Sequence, residues 1–303
     1  MQNTSYILMI RPVNFGFNAE TAVNNTFQSA VIDPTIQENA LIEFDNFVNL
    51  LKNNGVRVTV IDDTSSPHTP DSIFPNNWIS FHADGKIILY PMFAPNRRAE
   101  RKQHVLDILK EEFEVEKEID LSHYEDQNLF LEGTGSMVLD RDEKIAYACI
   151  SPRTNLQVLE KFCEIENYTA VTFTSTNING VDIYHTNVMM CIAREYVVIC
   201  LESITNAEEQ QKVVASILKS GKEIIEISQQ QLNAFAGNML QVVNKNGERI
   251  LAMSAKAFNS LKPLQREILG TYNRIIYSSL DTIEKAGGGS ARCMMAEIFL
   301  LPK

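Results

Sequence analysis

Long apolar runs, a basic leader and an excess of basic residues are all missing from this chain. No apolar stretch is long enough to span a bilayer, and the one in the opening segment MQNTSYILMIRP is too short for a signal peptide. Lysine and arginine number 27 against 38 aspartate and glutamate residues, which gives a net charge of −11. An acidic surface repels phosphate backbones and anionic lipids. We therefore expect a cytoplasmic protein that binds neither nucleic acid nor membrane.

Cysteine pairs are missing as well. The five cysteines, Cys149, Cys163, Cys191, Cys200 and Cys293, form an odd set with no CxxC spacing. This argues against a disulfide framework and against a thiolate zinc site, and it fits a reducing cytosol. We expect no metal and no cofactor, since no group of side chains has metal-like spacing.

What the chain does contain is a recurring unit of two short apolar strands followed by a helical pattern. The strand pairs fall in residues 76–91, 134–150, 186–201 and 237–253, and a fifth unit begins at 291–301. The equivalent positions are spaced by 58, 52, 51 and 54 residues and are Asn77, Gly135, Asn187, Asn238 and Arg292. This regularity across dissimilar sequence predicts a ring of five αβ modules.

The fifth unit stops after its first strand, and the N-terminus supplies the missing parts. Residues 5–12 have the pattern of a strand, and residues 35–55 have that of a helix. We therefore expect a five-fold pseudosymmetric α/β propeller, with residues 1–303 in a single domain and the two termini completing one module together.

In such a ring, the residues just before each first strand converge on the axis. The polar residues at these positions are Asn76, Asn77, Glu132, His185, Asn187, Asn238 and Cys293. A carboxylate, an imidazole and a thiol would then meet in one pocket despite their distance in sequence. This combination suits nucleophilic catalysis, with the thiol attacking and the histidine moving protons.

Each member of this group also has an ordinary structural explanation. A free cysteine is most often a small buried core residue, an isolated histidine a core residue with satisfied hydrogen bonds, and a turn glutamate a solvated acid. Cys293 is distinguished by the glycines of AGGGSAR before it, which allow the backbone to lie close to a ligand.

Ordered motifs carry a resemblance to a known family. FLEG at 130–133, HTN at 185–187 and GGGSARC at 287–293 resemble the Glu, His and Cys motifs of the pentein guanidino-modifying enzymes. These enzymes include arginine deiminases, dimethylarginine dimethylaminohydrolases and amidinotransferases. The resemblance implies that Cys293 attacks the planar carbon, that His185 protonates the departing nitrogen and then activates water, and that Glu132 holds His185 or a substrate nitrogen.

Three further motifs resemble the substrate-binding segments of the same enzymes. PDSIFPNNW at 70–78 resembles their acidic substrate motif, and ISPRTN at 150–155 and APNRRAER at 94–101 resemble their two arginine-bearing motifs. The resemblance implies that an arginine of ISPRTN and an arginine of APNRRAER bind the substrate carboxylate. It leaves open which arginine of APNRRAER faces the site. The residues expected to bind substrate are Asp71, Asn76, Asn77, Arg97, Arg98, Arg153 and Asn187.

Departures from the family pattern bear on the substrate. Many relatives have H-x-D where this chain has Asn187, and dimethylarginine hydrolases have an acidic pair at Asn76 and Asn77. A cationic guanidinium favours carboxylates, whereas a neutral ureido oxygen accepts from an amide. FPNNW and GGGSARCM also resemble citrulline-utilisation hydrolases. We therefore expect a hydrolase that converts citrulline to ornithine, ammonia and carbon dioxide.

Other functions remain open at this stage. The chain could act on arginine or methylated arginines, or transfer the amidino group to an acceptor amine. Ribosome-associated pentein factors share the ring but lack the catalytic thiol, so Cys293 argues against that class. A phosphate-binding loop at GGGS fails because no Lys-Ser/Thr and no helix follow it. We expect a small amino-acid partner, and the sequence leaves the oligomeric state open, a homo-oligomer included.

Overall fold

The computed structural model describes residues 1–30 and 34–303. Its strands are, in chain order, β1 (Tyr6–Arg11), β2 (Arg57–Asp62), β3 (Ile79–Phe81), β4 (Lys86–Leu89), β5 (Lys117–Asp120), β6 (Met137–Asp140), β7 (Ile145–Cys149), β8 (Thr169–Phe173), β9 (Met190–Ile192), β10 (Tyr196–Ile199), β11 (Glu223–Glu226), β12 (Leu240–Val243), β13 (Arg249–Ser254), β14 (Arg274–Ser278) and β15 (Ala296–Ile298).

The α-helices are α1 (Ala19–Ala22), α2 (Ile36–Asn53), α3 (Pro95–Arg98), α4 (Gln103–Glu112), α5 (Gly133–Ser136), α6 (Leu156–Glu166), α7 (Thr186–Met189), α8 (Ala207–Lys219), α9 (Gln229–Asn233), α10 (Ala255–Ser260), α11 (Pro263–Tyr272) and α12 (Asp281–Gly287). Short 3₁₀ helices span Pro75–Asn77, Ser122–Gln127 and Leu201–Ser203.

Five three-stranded sheets repeat one topology. Within each sheet the first two strands are antiparallel and the second and third are parallel, as in β3-β4-β5 and β6-β7-β8. A parallel pair needs a crossover connection, and an amphipathic helix supplies it each time; α4 lies between β4 and β5, and α6 between β7 and β8. Each helix buries its apolar face, for example through Val105, Leu106 and Leu109.

The termini complete the fifth module, as predicted. The C-terminal strand β15 pairs antiparallel with β1, and β1 pairs in parallel with β2 across the crossover helix α2. First strands of neighbouring modules pack on one another, with β15 against β3, β6 against β9, and β9 against β12. The expected five-module α/β architecture is therefore confirmed, whereas a single domain over residues 1–303 stays a prediction.

The third strand of each module is absent from the sequence-based repeat. These strands are short and partly exposed; KEID of β5 and EIIE of β11 begin and end with charged residues and span only four positions. Such a segment gives too little periodicity to separate it from a loop. The predicted helix after the first hairpin is also divided, because α3 ends at Arg98 and α4 begins at Gln103.

Two further properties of the fold hold over residues 1–30 and 34–303. No helix in these ranges is long and apolar enough to cross a membrane. No group of three or more histidine, cysteine, aspartate or glutamate side chains in the same ranges is arranged to hold a metal ion.

Candidate active site

Single helical turns before the first strands place the polar residues at the ring axis. The 3₁₀ turn Pro75–Asn77 precedes β3, α5 precedes β6, and α7 precedes β9. Glu132 and His185 occupy the N-cap positions of α5 and α7, where the backbone is not yet helical. Residues of one turn per module thereby point toward a common centre, which is the convergence expected from the repeat.

The Cys293 thiol is buried between two asparagine side chains. Asn238 Nδ2 donates to Cys293 Sγ at 3.2 Å, and Asn187 Nδ2 lies 3.5 Å from the same sulfur. Asn238 is itself fixed at both ends of its amide, because Nδ2 also donates to the Asn187 carbonyl and Oδ1 accepts from the backbone of Arg292. Amide donors at this distance stabilise negative charge on sulfur without adding a charge of their own.

His185 and Glu132 form a buried pair. His185 Nε2 lies 2.8 Å from Glu132 Oε2, and both side chains are almost fully buried. Burial opposes ionisation of Glu132, but Arg153, the hydrogen bond from His185 and Arg97 outweigh it and hold its pKa well below the ordinary value. Burial lowers the pKa of His185 to about 4, against the opposing effect of Glu132. The carboxylate is therefore ionised and the imidazole neutral near pH 7, with Nε2 carrying the proton and Nδ1 the basic lone pair.

Two glycines of LEGTGS make this packing possible. A Cβ added to Gly135 would lie 2.4 Å from Asn77 Nδ2 and 2.8 Å from His185 Nδ1, which real Cβ atoms do not tolerate. Gly133 has φ near +46° and a virtual Cβ 2.4 Å from the Asn76 carbonyl. Neither position accepts a side chain without moving the His185 and Asn77 side chains or their backbone.

A small cavity lies over these groups. It is lined by Asn25, Asp71, Phe74, Asn77, Arg97, Arg153, Tyr184, His185, Gly287, Gly289 and Cys293. The thiol, the imidazole, one carboxyl group and two guanidinium groups therefore face one small space. Glu132 stands behind His185 as its partner.

Arg153 and Asp71 lie together against the N-terminal segment. Arg153 Nη2 donates to the Thr21 carbonyl at 2.8 Å, and Arg153 Nε and Nη2 both donate to Asn24 Oδ1. The Thr21 hydroxyl donates to Asp71 Oδ2 at 3.2 Å, and Asn18 Nδ2 donates to the same oxygen. Asp71 Oδ1 is buried and has no hydrogen-bond partner in the part of the chain that the structure describes, and burial raises the pKa of this carboxyl group against the attraction of Arg97.

Arg97 is engaged by protein groups. Its guanidinium makes a two-point contact with Glu100, Nε to Oε1 at 2.8 Å and Nη2 to Oε2 at 2.9 Å, while Nη1 donates to Asn77 Oδ1 at 2.9 Å. Bidentate pairs of this kind fix orientation strongly. Arg97 therefore sets the position of the Asn77 amide, and Asn77 in turn donates through Nδ2 to Asn76 Oδ1.

The structure leaves three expected substrate-binding residues outside the cavity wall: Arg98, Asn76 and Asn187, of which Asn187 contacts Cys293 Sγ instead. Arg98 turns outward, where Nε donates to the Met92 carbonyl and the guanidinium lies 3.5 Å from Glu125. Consecutive residues of a helical turn point in different directions, so only Arg97 reaches the cavity. Asn76 faces Thr134, and its Nδ2 lies 3.3 Å from the Thr134 hydroxyl. Asn76 is not part of the cavity wall.

Other residues at the site were not assigned from the sequence. Asn238 was recognised as a ring position but given no role, although it makes the shorter of the two contacts to Cys293. Asn24 and Asn25 belong to an N-terminal segment outside the repeat, so no spacing argument reaches them. The adjacent Tyr184 lies with its ring 4.7 Å below the Arg153 guanidinium.

Comparisons with known proteins bear on the family and the fold. The family model described as N,N dimethylarginine dimethylhydrolase, eukaryotic, matches residues 11–300. A search of curated proteins gives no significant match. Among solved structures, apo ArgZ, an arginine dihydrolase from the ornithine–ammonia cycle in cyanobacteria, has a TM-score of 0.78 at 18% identity over 97% of this chain. This chain spans 40% of that ArgZ chain.

Two further structures cover the same length as this chain. The N-terminal domain of ArgZ, in a cysteine-to-serine mutant bound to substrate, has a TM-score of 0.77 at 18% identity and covers 97% of this chain and 99% of its own. A dimethylarginine dimethylaminohydrolase mutant from Pseudomonas aeruginosa, complexed with citrulline, has a TM-score of 0.66 at 16% identity, with coverage of 98% and 100%.

The chain therefore has the fold of the pentein superfamily of guanidino-modifying enzymes. It belongs to the N,N-dimethylarginine dimethylhydrolase family, whose model matches nearly its whole length.

Proposed function

We propose that this chain hydrolyses the ureido group of citrulline to ornithine, ammonia and carbon dioxide, through a covalent intermediate on Cys293. The observation that carries the proposal is the neutral surround of the thiol, because within residues 1–30 and 34–303 the side chains that hydrogen-bond to Cys293 Sγ are two amides, Asn187 and Asn238. A guanidinium placed here would meet no carboxylate from these two neighbours, and burial of an uncompensated cation is costly.

The charged residues of the cavity suit the other end of an amino acid. Arg153 and Asp71 share Thr21 as a partner, one through its carbonyl and the other through its hydroxyl. A guanidinium beside a carboxylate matches the α-carboxylate and α-ammonium groups of a free amino acid. Asn24 Oδ1, which accepts from two nitrogens of Arg153, occupies the place of a substrate carboxylate oxygen.

The carboxylate of Glu132, behind His185, already binds other protein groups. Glu132 accepts from His185 through Oε2 and from the Phe93 amide through Oε1, and Arg153 and Arg97 lie within 4 Å. Asn77 lines the cavity. In the described part of the chain, one hydrogen of its amide Nδ2 is donated to Asn76 Oδ1. Its second amide hydrogen is placed to donate to a ureido oxygen, where charge develops as sulfur attacks.

The chemistry follows from these positions. The Cys293 thiolate attacks the ureido carbon, and the neutral His185 takes up the thiol proton and delivers it to the departing nitrogen. Collapse of the adduct leaves a thiocarbamate on Cys293. His185 then activates water, whose attack releases a carbamate that decomposes to an amine and carbon dioxide. One water is consumed overall.

A second candidate is hydrolysis of the guanidino group of arginine. The unpartnered Oδ1 of Asp71 favours it, because this buried oxygen would accept from a guanidinium N–H. The solved ArgZ structures, which belong to an arginine dihydrolase, are consistent with it. A transferase reaction differs from both in requiring an acceptor amine.

One assay separates these functions. The purified chain is incubated with citrulline, arginine, agmatine and methylated arginines, and ammonia, ornithine and citrulline are measured. Citrulline should yield ornithine and ammonia in equal amounts, without an added amine. A kcat/KM for arginine above that for citrulline would overturn the substrate assignment and favour the second candidate. Turnover only after addition of an acceptor amine would identify a transferase.

A further inference from the structure

A second concave surface lies beside the catalytic cavity. This groove is open to solvent, and its walls include Phe27, Phe235, Lys256, Asp281, Glu284 and Lys285. None of these side chains lines the catalytic cavity, and none is used in the chemistry described above.

The groove and the cavity share two structural elements. Helix α12 contributes Glu284 to the groove and ends at Gly287, which lines the cavity. The N-terminal segment contributes Phe27 to the groove and Asn25 to the cavity. The two spaces are therefore neighbours along α12 and along the N-terminal segment.

Glu284 is the unusual member of the groove. Its side chain is 2% exposed, and Oε1 accepts from the Ser290 hydroxyl at 2.6 Å, while Oε2 is buried with no hydrogen-bond partner among residues 1–30 and 34–303. Lys256 Nζ lies 3.9 Å from Oε2, on a side chain that is half exposed. A buried carboxylate oxygen without a partner is rare in native proteins, and it indicates a position for a cationic donor.

The rest of the groove complements a small zwitterion. Lys256 and Lys285 offer positive charge for a carboxylate, and Asp281, like Glu284, offers negative charge for an ammonium group. The Phe27 and Phe235 rings, 5.3 Å apart between centroids, provide an apolar surface between these charges. Lys256 Nζ lies 5.1 Å over the Phe235 ring, and its exposed chain is long enough to leave Oε2 when another cation arrives.

We propose that this groove is a second binding site for a free α-amino acid with a cationic side chain, which places an ammonium group on Glu284 Oε2 and its carboxylate between Lys256 and Lys285. The site is independent of the substrate assigned to the catalytic cavity. The site also adjoins the nucleophile through Ser290. The Ser290 hydroxyl donates to Glu284, and the Ser290 carbonyl accepts from the backbone N–H of Cys293 at 2.9 Å.

The test uses the full chain with Cys293→Ser, which prevents turnover, and L-ornithine as the probe in isothermal titration calorimetry. We expect two binding events per chain. Adding Glu284→Gln should weaken one event at least tenfold and leave the other unchanged, because the amide retains an oxygen for Ser290 but loses the charge. Adding Arg153→Ala should do the reverse. A single event that is abolished by Arg153→Ala and unaffected by Glu284→Gln would overturn the proposal.

Controls separate the groove from general charge effects and from misfolding. Glu267→Gln removes an exposed carboxylate from α11, outside the groove, and should change neither event. Lys285→Met alters an exposed residue of the groove wall and should weaken the same event as Glu284→Gln, so the proposal is tested even if the Glu284 variant does not fold. Putrescine, which lacks the carboxylate, should bind the groove more weakly than ornithine and respond little to Lys285→Met. Equal binding of both probes would contradict the carboxylate contact.

Discussion

Asn238 donates a hydrogen bond to the sulfur of Cys293 at 3.2 Å, and no other donor approaches this sulfur as closely within residues 1–30 and 34–303. The contact joins the fourth and fifth modules of the ring. Its donor is oriented by Arg292, the residue before the nucleophile, whose backbone N–H is bonded to Asn238 Oδ1. The thiol and the donor are therefore positioned by one local network.

Replacement of Asn238 by aspartate should disfavour the thiolate. The carboxylate keeps the acceptor for Arg292 but replaces a donor with a negative charge, and like charges at this distance shift titration by about 1–3 units. Alkylation of Cys293 by iodoacetamide, followed against pH, should move to higher pH by roughly that amount. The exposed Asn246→Asp is the control. An unchanged alkylation profile in Asn238→Asp would show that the contact has no effect on the thiol.

The nucleophile is tested by Cys293→Ser. A hydroxyl is a far weaker nucleophile than a thiolate near neutral pH, so ornithine release should fall below detection while the thermal unfolding midpoint changes little. Cys149→Ser is the matched comparison. Cys149 lies in β7, and burial raises its pKa to about 12, so it should affect stability and leave kcat near the wild-type value. Substantial turnover in Cys293→Ser would exclude the mechanism.

Arg153 and Arg98 provide a matched pair for the carboxylate anchor. Arg153 lines the cavity, whereas Arg98 points away from it toward Glu125. Arg153→Ala should cost about 2–5 kcal/mol in kcat/KM for substrates with an α-carboxylate, expressed mainly in KM. Arg98→Ala should stay within about threefold of wild type, since a surface ion pair contributes ~1 kcal/mol or less. A loss in Arg153→Ala that is as large for agmatine, which has no carboxylate, would contradict the anchor role.

Acid stability should report on His185. A histidine in the unfolded chain has a pKa near 6.5, whereas burial lowers that of His185 to about 4 in the folded protein. Between these values the unfolded chain binds a proton that the folded chain does not, so stability falls as the pH falls from about 6.5 to 4. Glu132 extends the loss below pH 4.5, because its pKa is depressed in the folded state. The buried His82, with its lowered pKa, acts in the same direction.

The measurement is the urea midpoint between pH 7.5 and 4.5. His185→Gln removes one of these groups, so its midpoint should decline less steeply with falling pH than that of the wild type. His68→Gln, which changes an exposed histidine, should leave the wild-type slope. Identical slopes in wild type and His185→Gln would show that His185 is not held neutral by burial.

The repeat in the sequence was sufficient to predict the five modules and the convergence at the axis, because hairpins with apolar strands recur at nearly constant spacing. It was insufficient for the third strands, because segments such as KEID and EIIE carry no distinct periodicity over four residues. Within the site, a spacing argument reaches a backbone position but not the direction of a side chain. It therefore grouped Arg97 with Arg98, although only the former reaches the cavity.

His82 shows that sequence spacing also fails to predict which side chains become buried. The sequence places it in a turn, without the setting of His185. In the structure it is buried, with Nδ1 2.9 Å from Glu166 and Nε2 2.8 Å from the Ser80 hydroxyl. Its partner Glu166 ends α6 in the following module, and no local pattern predicts a contact over that separation. Contacts between modules, which decide burial and pKa, are the part that sequence periodicity does not contain.

The substrate assignment is tested most directly at Asn77, which lines the cavity and is fixed by Arg97. Asn77→Asp is isosteric, and its carboxylate still accepts from Arg97 Nη1 while adding a negative charge near the reacting group. A hydrogen bond to a charged partner contributes about 1.5–3 kcal/mol, so kcat/KM for arginine relative to citrulline should rise by roughly ten- to a hundredfold. Asn76→Asp, one residue earlier but directed at Thr134, should leave this ratio near the wild-type value, with thermal unfolding used to verify the fold of both variants. If Asn77→Asp leaves the preference unchanged, the amide at this position does not select the ureido group, and the neutral surround of the thiol, Asn187 and Asn238, must account for selectivity alone.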